Sequence, residues 1–155
     1  MSIADRLKER GLVLPAVLAP GGNYLPAVRA GDLLFLAGQV AVRDGELVAK
    51  GRVGAEVSPE VATTAAEVAV LNALGAARDA LGDLERVEQV ARMTVYVASA
   101  PDFANQSQVA NGASDLLVYL FGDRGRHARS AVGMASLPMG SPVEVELTLQ
   151  VKREE

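Results

Sequence analysis

The chain contains no cysteine. That removes disulfides, thiolate nucleophiles and every zinc site built on sulfur. It fits a reducing compartment, so a cytoplasmic location is the expectation. Tryptophan is also absent, and phenylalanine and tyrosine supply three residues each, so platforms for stacking bases are scarce. Histidine occurs once, at His127, and no His/Asp/Glu grouping has metal-ligand spacing, so no metal and no organic cofactor is expected. No apolar run approaches the roughly 18 residues of a membrane-spanning helix, so no membrane partner is expected. The opening MSIADRLKERG is charged and amphipathic, lacks an apolar h-region and does not read as a secretory signal. Basic charge is short as well. Fifteen Lys and Arg face 19 Asp and Glu, a net charge of −4, whereas nucleic-acid binders show a basic balance or stripe. Nucleic acid is a disfavoured partner on these grounds.

What is present reads as globular: 155 residues, 50% hydrophobic and 22% charged. One domain over residues 1–155 is expected, with an N-terminal helix over 1–11 and a core from about 24 to 152. Ser2 can cap the first helix, with Gly11 as its stop. The stretch LVLPAVLAP reads as extended, and APGGNY as a loop whose glycines permit close approach. Strands follow from Tyr24 to about Val48, with Leu33–Leu36 as a covered central strand and Asp44-Gly45 as a hairpin turn.

The clearest helix starts after Ser58, with Pro59 at its first position, and stops at Gly82. Val61, Ala65, Val68, Leu71 and Leu74 form its apolar stripe. Gly75 inside it costs about 1 kcal/mol against alanine, which close contact with a neighbour would explain. A strand, VEQVARMTVYVAS, is expected to turn Ala91, Met93, Val95 and Val97 one way and Arg92, Thr94 and Tyr96 the other. A second helix is expected from Asp102 to about Phe121. The strands ARSAVG and VEVELTLQVK close the chain. The order predicts an α+β layer fold: one sheet with two long helices on one face and a polar second face carrying Tyr96, Glu144, Glu146, Thr148 and Gln150. Such a face meets water or another subunit.

Several residues could carry chemistry. Arg129 can grip a carboxylate with both arms of its guanidinium, and Glu144, in a strand expected to lie next to it, could orient a water. An ordinary cross-strand surface ion pair, worth about 0.2–1 kcal/mol, explains the same pattern. Glu146 shares the face of Glu144, as paired acid and base carboxylates do, or as any solvated strand does. His127 could act as a base, or sit in a surface turn without a serine partner. Tyr24 could hydrogen-bond a ligand over the glycine loop, or be a strand-edge aromatic with a wet tip.

Three stretches together resemble the RidA (YjgF-type, L-PSP endoribonuclease-like) family from about Tyr24 to Val151: NYLPAVRAGDLLFLAGQV, VARMTVYVASAPDFAN and ARSAVGMASLP with VEVE. The resemblance implies a chorismate-mutase-like fold in a homotrimer, with sites at the subunit interfaces. It also implies hydrolysis of reactive enamine or imine intermediates, such as 2-aminoacrylate, to 2-oxo acids and ammonia, without metal or cofactor. In that frame Arg129 matches the residue that grips the substrate carboxylate, helped by the backbone N–H near Ala131. Glu144 matches the acid associated with the hydrolytic water, Tyr24 the tyrosine that closes over the site, Gly38 the strand end of AGQ, and Asn111 a helix asparagine. Ala131 stands where family members carry cysteine, and Ala37 where many carry serine. Both departures leave the carboxylate grip and remove pocket polarity. They keep a second reading open, a non-catalytic trimeric binder or sensor of small carboxylates. The acidic charge argues against a third, an L-PSP-type endoribonuclease.

Overall fold

The computed structural model describes residues 1–154; of the expected domain, Glu155 lies outside the described residues. Helix α1 (Ile3–Glu9) is fixed by a reciprocal cap: the Asp5 N–H donates to Ser2 Oγ and the Ser2 N–H to the Asp5 carboxylate, both at 3.0 Å. Residues 12–20 then run without regular structure. They lie against helix α2 (Pro59–Leu81) and account for its internal glycine: a Cβ at Gly75 would collide with the Pro15 carbonyl.

Strands β1 (Ala27–Ala30) and β2 (Leu33–Leu36) form a hairpin; β3 (Gln39–Val40), β4 (Val42–Arg43) and β5 (Glu46–Leu47) follow. Asp44 and Gly45 both take positive φ (53° and 82°), as a two-residue hairpin turn requires. Helix α2 carries its Ser58 cap, Pro59 start and Gly82 stop. It is buried almost all round between Ala65 and Ala77, because helix α3 (Gln106–Phe121) packs beside it and the sheet lies beneath. Val61, expected on the buried stripe, is 45% exposed; Ala62 takes the inward position in the first turn. The buried Asn72 donates to the carbonyls of Val40 (3.0 Å) and Val42 (2.8 Å), pinning the β3–β4 corner to α2.

The remaining strands are β6 (Val87–Ala98), β7 (Ala128–Met134) and β8 (Val143–Val151). The sheet runs β1-β2-β8-β6-β7, with β3 also paired to β8. Strands β6 and β7 are parallel and joined across α3; the other pairs are antiparallel. This is the expected mixed sheet with two long helices on one face and a short extra helix at the start.

Four local expectations change. First, β8 does not lie beside β7; β6 separates them. Second, irregularities at Val87/Gln89 and Val90/Arg92 shift the pleat of β6. Val90 rather than Ala91 therefore points inward, and strict alternation holds only from Arg92 onward. Third, Leu33–Leu36 is covered on one face only: Phe35 is 45% exposed on the open side. Fourth, α3 begins at Gln106, not Asp102. The Ala100 N–H still pairs with Val53 and Phe103 packs against Gly54, so the chain must complete a turn before it can coil.

Candidate functional site

Alternation along β8 buries Val143, Val145, Leu147 and Leu149 and turns Glu144, Glu146, Thr148 and Gln150 to the open face. Glu144 stands opposite Val40 on one side and Tyr96 on the other. Its carboxylate rests directly on Gly38, where a Cβ would lie 3.0 Å from Glu144 Cδ. The absence of a side chain at 38 is what lets the carboxylate occupy that place. Beside it opens a cavity of about 410 Å³, lined by Leu18, Pro20, Tyr24, Gly38, Met139 and Glu144, among others. Tyr24 is 54% exposed at the cavity edge, and its hydroxyl accepts from the Gly21 N–H at 3.1 Å. Burial, and then the Glu146 charge, raise the Glu144 carboxyl above its ordinary value. Glu146 accepts a hydrogen bond of 2.7 Å from the Tyr96 hydroxyl, whose own titration that bond raises. A desolvated carboxyl with a raised proton affinity, in a largely apolar cavity, is suited to give and take a proton.

Arg129 belongs to a different place. Its register partner on β6 is Met93, which is fully buried, so Arg129 projects from the helix-covered face of β7. Its Nη1 donates to Asn111 Oδ1 at 2.8 Å and to Ser114 Oγ at 3.1 Å, and its Nη2 to Ser107 Oγ at 2.7 Å. Ala131 shares that face, next to Val95, and packs against the core. His127 is half-buried rather than a free turn residue: Nε2 lies 2.9 Å from Ser114 Oγ and Nδ1 2.6 Å from the Gly125 carbonyl.

The candidate residues thus fall into two groups within one copy. Tyr24, Gly38 and Glu144 meet at the open face, whereas Arg129, Asn111 and Ala131 meet between β7 and α3. Ala37 sits beside the first group, with its N–H on the Pro26 carbonyl. The arginine and the glutamate are on opposite faces of the sheet with a strand between them. Ser107 and Ser114, both against Arg129, were missed in the sequence. Their spacing with Asn111, at i, i+4 and i+7 along one helix face, is the signal that could have found them.

Residues 4–150 match the family described as "YjgF/chorismate_mutase-like, putative endoribonuclease". The chain is 41% identical over 150 residues to Protein TCP17 of Trypanosoma cruzi, covering 96% of this chain and 94% of that protein. Among solved structures, it is similar to the protein Atu1372 of unknown function from Agrobacterium tumefaciens, with TM-score 0.92 and 40% identity over 97% and 92% of the two chains. It is also similar to a "putative endoribonuclease" from Shewanella oneidensis, with TM-score 0.95 and 32% identity over 97% and 100%. The chain belongs to the YjgF family, with the chorismate-mutase-like fold that the sequence resemblance implied.

Proposed function

We propose that the protein hydrolyses reactive enamines and imines of small amino acids to 2-oxo acids and ammonia, as a cytoplasmic homotrimer whose sites lie between copies. The observation that carries this reading is the division of the two groups: Arg129 and Glu144 project from opposite faces of one sheet. One copy cannot direct both at the same small molecule. Two copies can, if the free β7 edge of one abuts the polar sheet face of the next, with Arg129 of the first brought around that edge to the Glu144 cavity of the second. The exposed Phe35 and Val28, side by side on the open face, support burial of that face against a neighbour.

The chemistry asks little of the protein beyond placement, because an imine is already electrophilic. Arg129 holds the carboxylate. Glu144, whose affinity for a proton its surroundings raise, delivers in its protonated form a proton to C3 of the enamine and leaves an iminium. The resulting carboxylate takes a proton from water as the oxygen attacks C2. The carbinolamine then collapses, releasing ammonia and the 2-oxo acid. Tyr24 covers the cavity and can donate its hydroxyl proton to the bound ligand.

The test couples an amino-acid oxidase, which generates imine in place, to this protein, and follows the loss of imine to a trapping amine. Wild type should suppress trapping, and Arg129→Ala should not. If the protein binds 2-oxo acids through Arg129 yet accelerates no imine, the binder reading replaces this one.

A further inference from the structure

The Arg129 guanidinium is not a free fork. Of its five N–H groups, two on Nη1 go to Asn111 and Ser114. Two on Nη2 go to Ser107, to the hydroxyl at 2.7 Å and to the carbonyl at a weak 3.3 Å. Among the described residues only Nε–H has no acceptor.

Behind Ser114 the hydrogen bonds run in one direction. A carbonyl can only accept, so His127 Nδ1 donates to Gly125, and in the tautomer that carries this one ring proton Nε2 is an acceptor. Ser114 gives its single hydroxyl proton to that nitrogen and turns its lone pairs to Arg129. His127 therefore sets the orientation of the one hydroxyl that must accept from Nη1.

We infer that this chain from Gly125 through His127 and Ser114, with Asn111, locks the Nη1 side of Arg129. The Nε–Nη2 edge is then the anion-binding edge, with the Ser107 hydroxyl as a third donor beside it. The inference rests on reading Arg129 as the carboxylate ligand. A carboxylate docking side-on takes one bond from the unused Nε–H. It takes the second from Nη2 in exchange for the long bond to the Ser107 carbonyl, the weakest of the four. Ser107 Oγ already accepts from Nη2, so its own proton is available to the incoming oxygen. The ligand this edge suits is a planar 2-oxo or 2-imino carboxylate. Ser107 touches it; Ser114 and His127 are positioning residues that act through Arg129.

The experiment is a titration of the ¹⁵N-labelled protein with 2-oxobutyrate, following the Arg129 Nε–H cross-peak, identified by its loss in Arg129→Lys. Binding should move this peak downfield as Nε–H gains an acceptor. Ser107→Ala should weaken binding by about 10-fold, the scale of one hydrogen bond to a charged group, with the downfield shift kept at saturation. Ser114→Ala and His127→Ala should weaken binding several-fold and reduce the saturated shift, because the guanidinium is no longer held edge-on. Ser114→Thr, which keeps the hydroxyl, should restore both. If Arg129→Lys binds as wild type does, the carboxylate reading itself fails. If Arg129 is required but the Nε–H peak stays still at saturation, or Ser107→Ala binds normally, the edge assignment is overturned while that reading stands.

Discussion

Gly38→Ala separates the role of the Glu144 position from the role of its charge. A Cβ on residue 38 would lie 3.0 Å from Glu144 Cδ and 3.2 Å from Cγ, and closer to Oε1. Carbon atoms settle about 3.5–4.0 Å apart, so the carboxylate must swing aside by something on the order of 1 Å. The glutamate is a flexible side chain on a half-open face and can do this cheaply. The backbone at 38 is not among the positive-φ positions, so alanine fits it. Stability should stay level or rise by about 0.4–1 kcal/mol, through the lost freedom of the unfolded chain. Activity should behave differently. A misplacement of ~1 Å at a reacting group costs about 10²-fold, and losing a general base altogether costs about 10²–10⁴-fold. In the oxidase-coupled imine assay, Gly38→Ala should fall about as far as Glu144→Gln, with a melting temperature at or above wild type. A fully active Gly38→Ala protein would mean that the carboxylate does not work from its place on Gly38.

Burial and the Glu146 charge raise the Glu144 carboxyl, so the folded chain holds that proton more tightly than the unfolded chain. The stability this contributes is present below the ordinary carboxylate range and is lost as pH rises through the raised value. Glu144→Gln removes the dependence, so its melting temperature relative to wild type should climb as pH rises above about 4, the ordinary carboxylate range; a constant difference would contradict the raised-carboxyl account. Gly75→Ala should lower stability by about 1–3 kcal/mol by thermal unfolding, because the Pro15 carbonyl it meets is backbone and cannot swing away. That overpacking opposes the gain of about 1 kcal/mol in helix propensity, and a stabilised variant would show that the extended segment can retreat.

The parts of the fold set by local chemistry were legible in the sequence. Ser58, Pro59 and Gly82 delimit α2, and Asp44-Gly45 makes its hairpin, because caps and turns depend on a few neighbouring residues. Even the contact at Gly75 could be anticipated, since a helix interior rarely keeps a glycine without cause. The start of α3 was not legible, because Phe103 is held by Gly54, about fifty residues earlier. Nor was the relation of Arg129 to Glu144. Alternation fixes which residues within one strand share a face, but not the phase of one strand against another, nor that β6 lies between β7 and β8. The partner of His127 was hidden for the same reason: Ser114 reaches it only after α3 folds back over β7.

The central claim, a site shared between copies, is tested most directly by mixing two damaged chains. Arg129→Ala and Glu144→Gln proteins should each be a trimer of about three 16.1 kDa chains and each be inactive. Unfolded together in equal amounts and refolded, they form mixed trimers. Each shared site draws its arginine from one chain and its glutamate from a neighbour, so about one site in four regains both by chance under cyclic symmetry. Imine hydrolysis should return to roughly a quarter of the wild-type rate, and a mixture as silent as its components would contradict the account.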